Sequence, residues 1–208
     1  CLLWIWWAER NKANRGEKPR TSDEIITSIT VHVLEYKNMH VKKLIPSNKM
    51  QLQWSRPMHN FLKINVDGAF REQSFSGGWG FIVRNDRGVA VAAGQGHLQE
   101  VGNALQAEAR APLQAVQITS SMGCNQVILE IDLTVLKNAI TSSEYGLAPL
   151  GVLFREIKAM LCVNFENFRI SVVPRSCNVV AHELAARGAL LGDGNQIVWA
   201  GHLPQFVL

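Results

Sequence analysis

A run of alternating apolar and polar residues, closed by a glycine, is the feature that most constrains this fold. From Phe61 to Asp67 the side chains alternate with period two, and Gly68 follows. Successive side chains of a β-strand point to opposite faces of the sheet, so this pattern predicts a strand with one buried face. We expect the strand to stop at Gly68 and to deliver Asp67 at its end.

Two further strands are predicted after a turn rich in Gly and Ser. They are Trp79–Arg84 and the run from Val89 to His97, joined by a tight turn at Asn85–Gly88. Three antiparallel strands in sequence make a meander. We expect Trp79 and Phe81 to lie in the core rather than to stack on bases.

The rest of this region alternates helices and strands. The predicted elements are a helix from its cap Asn103 to about Thr119, a strand at Gln126–Ile131, helices at Leu133–Ile140 and Leu150–Leu161, a strand at Phe168–Val173 and a closing helix at Asn178–Leu190. Pro112 is expected to kink the first helix. This order predicts an α/β fold in which helices cover a five-stranded mixed sheet.

Residues 1–60 differ in composition and are predicted to be a short helical segment and linker before a domain at residues 61–208. One helix is expected over residues 1–12, a second from Thr21 to about Tyr36, and a linker from Lys37 to Pro57. The segment 1–60 holds ten Lys and Arg against five Asp and Glu, whereas the domain holds eleven against twelve. Such a segment attracts phosphate at low salt, or is simply a solvated surface.

Composition and cysteine spacing exclude several classes of protein. The apolar fraction of 47% and the charged fraction of 18% are typical of a folded globular chain. The four cysteines form no CxxC pair, so neither a zinc site nor a disulfide framework is indicated. The apolar run at residues 1–8 is shorter than the roughly 20 residues that cross a bilayer. We expect a soluble intracellular protein of nucleus or cytoplasm, and a chain starting at Cys1 is consistent with a fragment.

Three acidic residues fall on predicted elements that face one another. Asp67 ends the first strand, Glu108 lies on the first helix, and Asp132 follows the fourth strand. A fold that gathers three carboxylates must raise their pKa values or supply a cation. Their hard oxygen ligands suit Mg²⁺ or Mn²⁺, which activate water and stabilise charge on a phosphate in transit. The alternative is that each is a surface acid at a turn.

Five short segments carry motifs in a characteristic order. They are Lys63–Ala69, Gly78–Gly88, Ala107–Ala109, Leu129–Asp132 and Arg175–Ala185. Together they closely resemble the ribonuclease-H-like domains of plant proteins related to non-LTR retrotransposon reverse transcriptases. Leu3–Asn11 is similar to the tail that follows the zinc-binding region of such elements, which would make residues 1–60 a remnant of a longer polyprotein. The tryptophans of that tail would then form an exposed apolar patch.

The resemblance implies two-metal hydrolysis of the RNA strand of an RNA–DNA hybrid, without sequence specificity. Asp67 would bridge both metals, and Glu108 and Asp132 would hold one each. Backbone groups near Gly68 and Ala69 would recognise the 2′-hydroxyl of the RNA strand. The implied partner is nucleic acid and not a membrane, and the oligomeric state is not indicated.

Two departures from the family pattern bear on catalysis. His182 occupies the position of the aspartate in the family motif Asn-x-x-Ala-Asp, so it is either a fourth site residue or a histidine of the helix surface. A neutral imidazole can ligate a metal but adds no negative charge, which predicts weaker binding. Ala104 and Leu105 replace a polar pair that contacts nucleic acid in cellular enzymes. The alternatives to a nuclease are therefore a weak or inactive nucleic-acid-binding module and a decayed retroelement fragment.

Two other charged residues have two interpretations each. Glu130 shares its strand with Asp132, and we expect it to point to solvent rather than to touch the site. Arg175 lies in the loop in which cellular ribonucleases H carry a histidine, where it contacts phosphate or only solvates the loop.

Overall fold

The described part of the chain forms a six-stranded mixed sheet with four α-helices. The computed structural model describes residues 10, 11, 14–16, 18, 21, 53–142, 144–146 and 148–207. The strands are β1 (Leu62–Arg71), β2 (Ser76–Arg84), β3 (Ala90–Leu98), β4 (Gln126–Ile131), β5 (Asn167–Val172) and β6 (Gln196–Ala200). The helices are α1 (Ala104–Ser120), α2 (Thr134–Thr141), α3 (Gly151–Asn164) and α4 (Val179–Gly188). This confirms the predicted α/β class and the predicted order of elements up to α4.

Strand β1 lies in the middle of the sheet, whose order is β5-β4-β1-β2-β3-β6. It pairs antiparallel with β2, where Asp67 faces Gly80, and parallel with β4, where Asn65 faces Glu130. Strands β2 and β3 are antiparallel, and β4 and β5 are parallel. The meander and the mixed character of the sheet are therefore as predicted.

The prediction of five strands was wrong, because β6 adds a sixth at the sheet edge. It pairs antiparallel with β3, with Trp199 opposite Ala93. The strand has only five residues and is mostly exposed, so it shows no clear alternation of buried and exposed positions. Its partner lies about a hundred residues earlier in the chain, and no local pattern reports such a pairing.

The first strand does not stop at Gly68, which is a second correction. Strand β1 continues to Arg71, and a 3-10 helix at Glu72–Ser74 makes the turn to β2. Gly68 is needed for packing instead, because a Cβ there would lie 2.4 Å from the backbone carbon of Ala107 in α1. The glycine therefore lets helix and strand backbones meet next to Asp67.

Helix α1 begins where its sequence predicts. Asn103 caps it, since the side-chain oxygen accepts a hydrogen bond from the Gln106 N–H at 2.9 Å. The helix continues through the buried Pro112 to Ser120. The kink expected at Pro112 stays a prediction.

Helices cover both faces of the sheet. Trp79 and Phe81 stack in the core on the α1 side, with ring centroids 5.8 Å apart, which confirms their predicted burial. Paired strand residues share a face, so Gly80 lies with Asp67 on the opposite side, where α4 packs.

Most N-terminal predictions lie outside the described residues. The tryptophans of residues 1–8, the helix from Thr21 to Tyr36 and the linker up to residue 52 are among them. Arg10 and Asn11 are helical. The described residues include no helix long and apolar enough to cross a membrane. The domain boundary near residue 60 stays a prediction.

Candidate metal centre

Three carboxylates converge where β1, β4 and α1 meet. Asp67 lies on β1, Asp132 directly follows β4, and Glu108 lies in the second turn of α1. Parallel pairing aligns Asn65 with Glu130, and Asp67 and Asp132 each come two residues later on the same sheet face. One ligand atom from each carboxylate lies within 4.8 Å of the other two. The structure thus brings together the three residues that the sequence singled out.

Asp67 is the buried member of this cluster, with 3% of its surface exposed. Burial raises the pKa of its carboxyl group, and the nearby Asp132 raises it further. The hydrogen bond with His182 acts in the opposite direction. The neutral form of Asp67 is therefore easier to populate than that of an exposed aspartate.

Glu108 is anchored by the backbone of β1. Its Oε2 accepts a hydrogen bond from the Gly68 N–H at 3.3 Å. Burial raises the pKa of Glu108 well above its ordinary value, and repulsion from Asp67 and Asp132 adds to this rise. The Gly68 N–H is one of the backbone groups that the family resemblance suggested for recognition of a 2′-hydroxyl. In this structure it donates to the Glu108 carboxylate instead.

His182 completes the cluster from α4. Its Nδ1 lies 2.7 Å from Oδ2 of Asp67, and its Nε2 lies 2.9 Å from Nη2 of Arg175. The same Nη2 also lies 3.1 Å from Nδ1, so the guanidinium contacts both ring nitrogens. His182 is thus brought to the predicted site, and Arg175 lies on the histidine, an arrangement that the sequence did not indicate.

Asn178 fixes the start of α4 to the central strand. The side chain is buried, and its Nδ2 donates to the Val66 carbonyl at 2.9 Å. Asn178 is part of the motif used to compare His182 with the family, yet sequence reasoning gave it no role. Its bond to β1, one residue before Asp67, helps to place His182 against that carboxylate.

The prediction that Glu130 points to solvent was wrong. Glu130 is only 5% exposed, and its Oε1 lies 2.8 Å from Nζ of Lys63. Its Oε2 accepts from Nδ2 of Asn65 at 2.8 Å, and Oδ1 of Asn65 accepts from Nε1 of Trp54 at 3.1 Å. The segment before β1 covers this face, since Trp54 bonds to Asn65 and the Ser55 carbonyl accepts from Nζ of Lys63 at 2.6 Å. The regular polar positions Lys63, Asn65 and Asp67 were the available signal of such a buried stripe.

The donor set fits a hard divalent cation. Three carboxylates offer only oxygen atoms, which suit Mg²⁺ or Mn²⁺ better than metals that prefer thiolate ligands. Burial, together with repulsion between the grouped acids, raises the pKa values of Asp67 and Glu108, and a bound cation would favour their ionised forms. Coordination by Asp67, Glu108 and Asp132 is therefore chemically reasonable.

The fold and the acidic cluster together define a ribonuclease-H-like domain. Solved structures of similar fold include the N-terminal RNase H domain of a Mycobacterium tuberculosis protein, which is 19% identical with TM-score 0.57 and covers 62% of this chain and 93% of that one. An RNase H1 of Halobacterium salinarum is 23% identical with TM-score 0.55, over 62% and 97%. A compost-derived RNase H1, solved in complex with an RNA/DNA hybrid, is 19% identical with TM-score 0.53, over 62% and 99%.

The sequence itself gives the family. The family described as Reverse transcriptase-like matches residues 65–188, which is more than half of the chain. The chain belongs to this Reverse transcriptase-like family. The matched region contains Asp67, Glu108, Asp132 and His182. No curated protein matches the sequence.

Proposed function

We propose that this domain is a divalent-metal-dependent endonuclease that hydrolyses the RNA strand of RNA–DNA hybrids. The observation that carries the proposal is the convergence of Asp67, Glu108 and Asp132 within 4.8 Å on a ribonuclease-H-like fold. The structure of a similar RNase H1 with an RNA/DNA hybrid supports the class of substrate.

The three carboxylates would hold Mg²⁺ or Mn²⁺, which supplies Lewis-acid stabilisation of the charge that develops on a phosphate. Asp67 would be the central ligand because its strand, β1, pairs with β4 and packs against α1, the elements that position the other two carboxylates. The Gly68 N–H orients Glu108, and the His182 ring orients Asp67. These bonds hold the oxygen atoms in place before substrate arrives, which lowers the cost of ordering them.

The charge next to this cluster supports binding of a polyanion. Arg175 is exposed and lies beside His182 at the edge of the site. A guanidinium can pair with phosphate through two parallel hydrogen bonds. On this proposal Arg175 binds a phosphate of the substrate. Backbone groups near Ala69 are candidates for contact with the 2′-hydroxyl of the RNA strand.

We further propose that the domain derives from a plant non-LTR retrotransposon. The match to the Reverse transcriptase-like family supports a retroelement origin, and the motifs from Lys63 to Ala185 carry the finer likeness. On this proposal residues 1–60 precede the nuclease domain as a remnant of the zinc-binding region, and the domain occupies residues 61–208.

The test is cleavage of a labelled RNA–DNA hybrid by the full chain with Mg²⁺ or Mn²⁺. Asp67→Asn is expected to lower the cleavage rate at least about a hundredfold, because the substitution removes the negative charge of a metal ligand. Asp193→Asn is the matched control, since that side chain is 79% exposed and belongs to a surface turn. Absence of metal-dependent cleavage by the unchanged protein would rule out the nuclease.

A second candidate function is a nucleic-acid-binding module with little or no turnover. It is favoured by the hydrogen bond from His182 to Asp67, which occupies one oxygen of the central ligand. This function predicts that the unchanged protein binds hybrid with a strong salt dependence but leaves it intact. A filter-binding measurement at two salt concentrations, beside the cleavage assay, separates the two candidates.

A further inference from the structure

We propose that the His182–Arg175 pair restricts the carboxylate cluster to a single divalent cation. This inference rests on the metal site of the proposed function. It differs from the two-metal arrangement that the family resemblance implies, and it follows from three observations on the described residues: the oxygens available on Asp67, the charge of the site and its size.

The first observation is that one oxygen of Asp67 is already in use. A carboxylate that bridges two cations gives one oxygen to each of them. Oδ2 of Asp67 is 2.7 Å from Nδ1 of His182, where the Asp67 side chain is 4% exposed and that of His182 is 36% exposed. A bridging Asp67 would have to break this bond, whereas binding of one cation through Oδ1 keeps it.

The second observation is the balance of charge. Three carboxylates and the guanidinium of Arg175 leave a formal charge of −2 when all four are ionised. The fixed charges that act on Asp67 are those of Asp132 and Arg175, and those that act on Glu108 belong to Asp67 and Asp132. One divalent cation neutralises this set. A second would leave an excess of +2 next to Arg175, and Glu183, the acid on α4, is exposed and not part of the cluster.

The third observation is size. Oxygen ligands on opposite sides of one Mg²⁺ lie about 4.2 Å apart, which is twice the metal–oxygen distance. The ligand atoms of the cluster lie within 4.8 Å of one another, so small side-chain rotations bring them onto one ion. This spacing of one oxygen atom from each carboxylate is compatible with coordination of a single ion.

The test is the number of Mn²⁺ ions that the full chain binds, measured by isothermal titration calorimetry without nucleic acid. The unchanged protein is expected to bind one ion. His182→Asp frees Oδ2 of Asp67 and adds a carboxylate on α4, and it is expected to bind two. His202→Asp adds the same charge at an exposed position and is expected to bind one.

A second variant tests the charge argument without altering the cluster. Arg175 is exposed, so Arg175→Gln is expected to fold normally. Removal of this positive charge is expected to tighten the single Mn²⁺ site by roughly threefold or more. An unchanged Kd would overturn the role of Arg175.

The outcomes separate this inference from the proposed function. Two ions on the unchanged protein, or one ion on a folded His182→Asp protein, would overturn the single-cation inference while leaving metal-dependent cleavage intact. No Mn²⁺ on any variant would overturn the proposed function, and the inference with it.

Discussion

At the level of single residues, the protonation of Glu108 bears directly on metal binding at the candidate site. Its carboxylate is held by one backbone N–H and faces two other acids. Burial and these two acids make the ionised form costly and raise the pKa of Glu108. Because metal ligands must be ionised, protons would compete with a cation for this candidate ligand.

This raised pKa predicts a pH-dependent stability of the metal-free protein. The folded state retains the Glu108 proton at pH values where the unfolded state has lost it, so stability should fall as pH rises from the ordinary glutamate pKa to the raised one. Glu108→Gln is expected to flatten this part of the profile and to leave the protein more stable above it. Urea unfolding at several pH values, in the presence of a metal chelator, measures the effect. If Glu108→Gln leaves the dependence of stability on pH unchanged, the raised pKa is not that of Glu108.

The buried Lys63–Glu130 pair gives a second prediction. Both side chains are 6% exposed, so Lys63→Met leaves a buried charge without its partner. We expect a loss of about 3–5 kcal/mol in the free energy of unfolding. Replacement of both residues, by Met at 63 and Leu at 130, should recover much of it. Lys158→Met on the exposed face of α3 is the control, with a change below about 0.5 kcal/mol.

At the level of elements, two glycines set the distance between β2 and α4. A Cβ on Gly80 would lie 2.2 Å from the Ala185 backbone nitrogen, and one on Gly78 would lie 2.2 Å from that of Ala189. The helix therefore rests directly on the strand backbone. This close packing brings His182 within reach of Asp67, which is paired with Gly80.

Gly80→Ala tests this contact between elements. The added methyl group would push α4 away from the sheet, so we expect a destabilisation of about 1–3 kcal/mol or more. Gly102→Ala is the matched control, since its nearest contact is a flexible Gln106 side-chain oxygen at 3.3 Å. Thermal unfolding of both proteins provides the comparison. Equal losses would show that the close approach is unimportant.

At the level of the whole molecule, the candidate metal centre links three elements that are distant in sequence. Its ligands come from β1, α1 and the end of β4. A cation that binds only this assembled arrangement stabilises the folded state by mass action. Folding and metal binding are thus expected to be coupled.

Differential scanning calorimetry with Mn²⁺ checks this coupling. At a concentration 100 times the Kd, the folded state should gain about 2.7 kcal/mol, seen as a higher Tm. Asp67→Asn should lose most of this gain. A similar rise in Tm for both proteins would place the bound ions elsewhere on the molecule.

Much of the fold could be predicted from the sequence because most elements carry their own signal. The predicted strand Gln126–Ile131 matches β4, and Asn103 caps α1 as expected. Strand β6 could not be found in this way, because five exposed residues owe their conformation to β3. The extension of β1 past Gly68 was missed for a related reason, since that glycine serves a contact with α1.

Some features of the candidate site could likewise be predicted from the sequence, and others could not. The positions of Asp67, Glu108 and Asp132 on their elements, together with the family resemblance, predicted that they converge, with three separate surface acids as the alternative. The hydrogen bonds of His182 depend on how α4 packs on the sheet, and the burial of Glu130 depends on the segment at Trp54 and Ser55 that covers its neighbours. Burial of this kind depends on the assembled fold, so the periodicity of a single strand does not predict it.

The late position of α4 in the chain has a consequence for how the protein emerges from the ribosome. All three acids are synthesised before the helix that covers Gly78 and Gly80 and supplies His182. Until that helix is released from the exit tunnel, the nascent sheet presents bare glycine backbone and an uncovered acidic cleft. Premature release within this window would yield a species prone to misassembly.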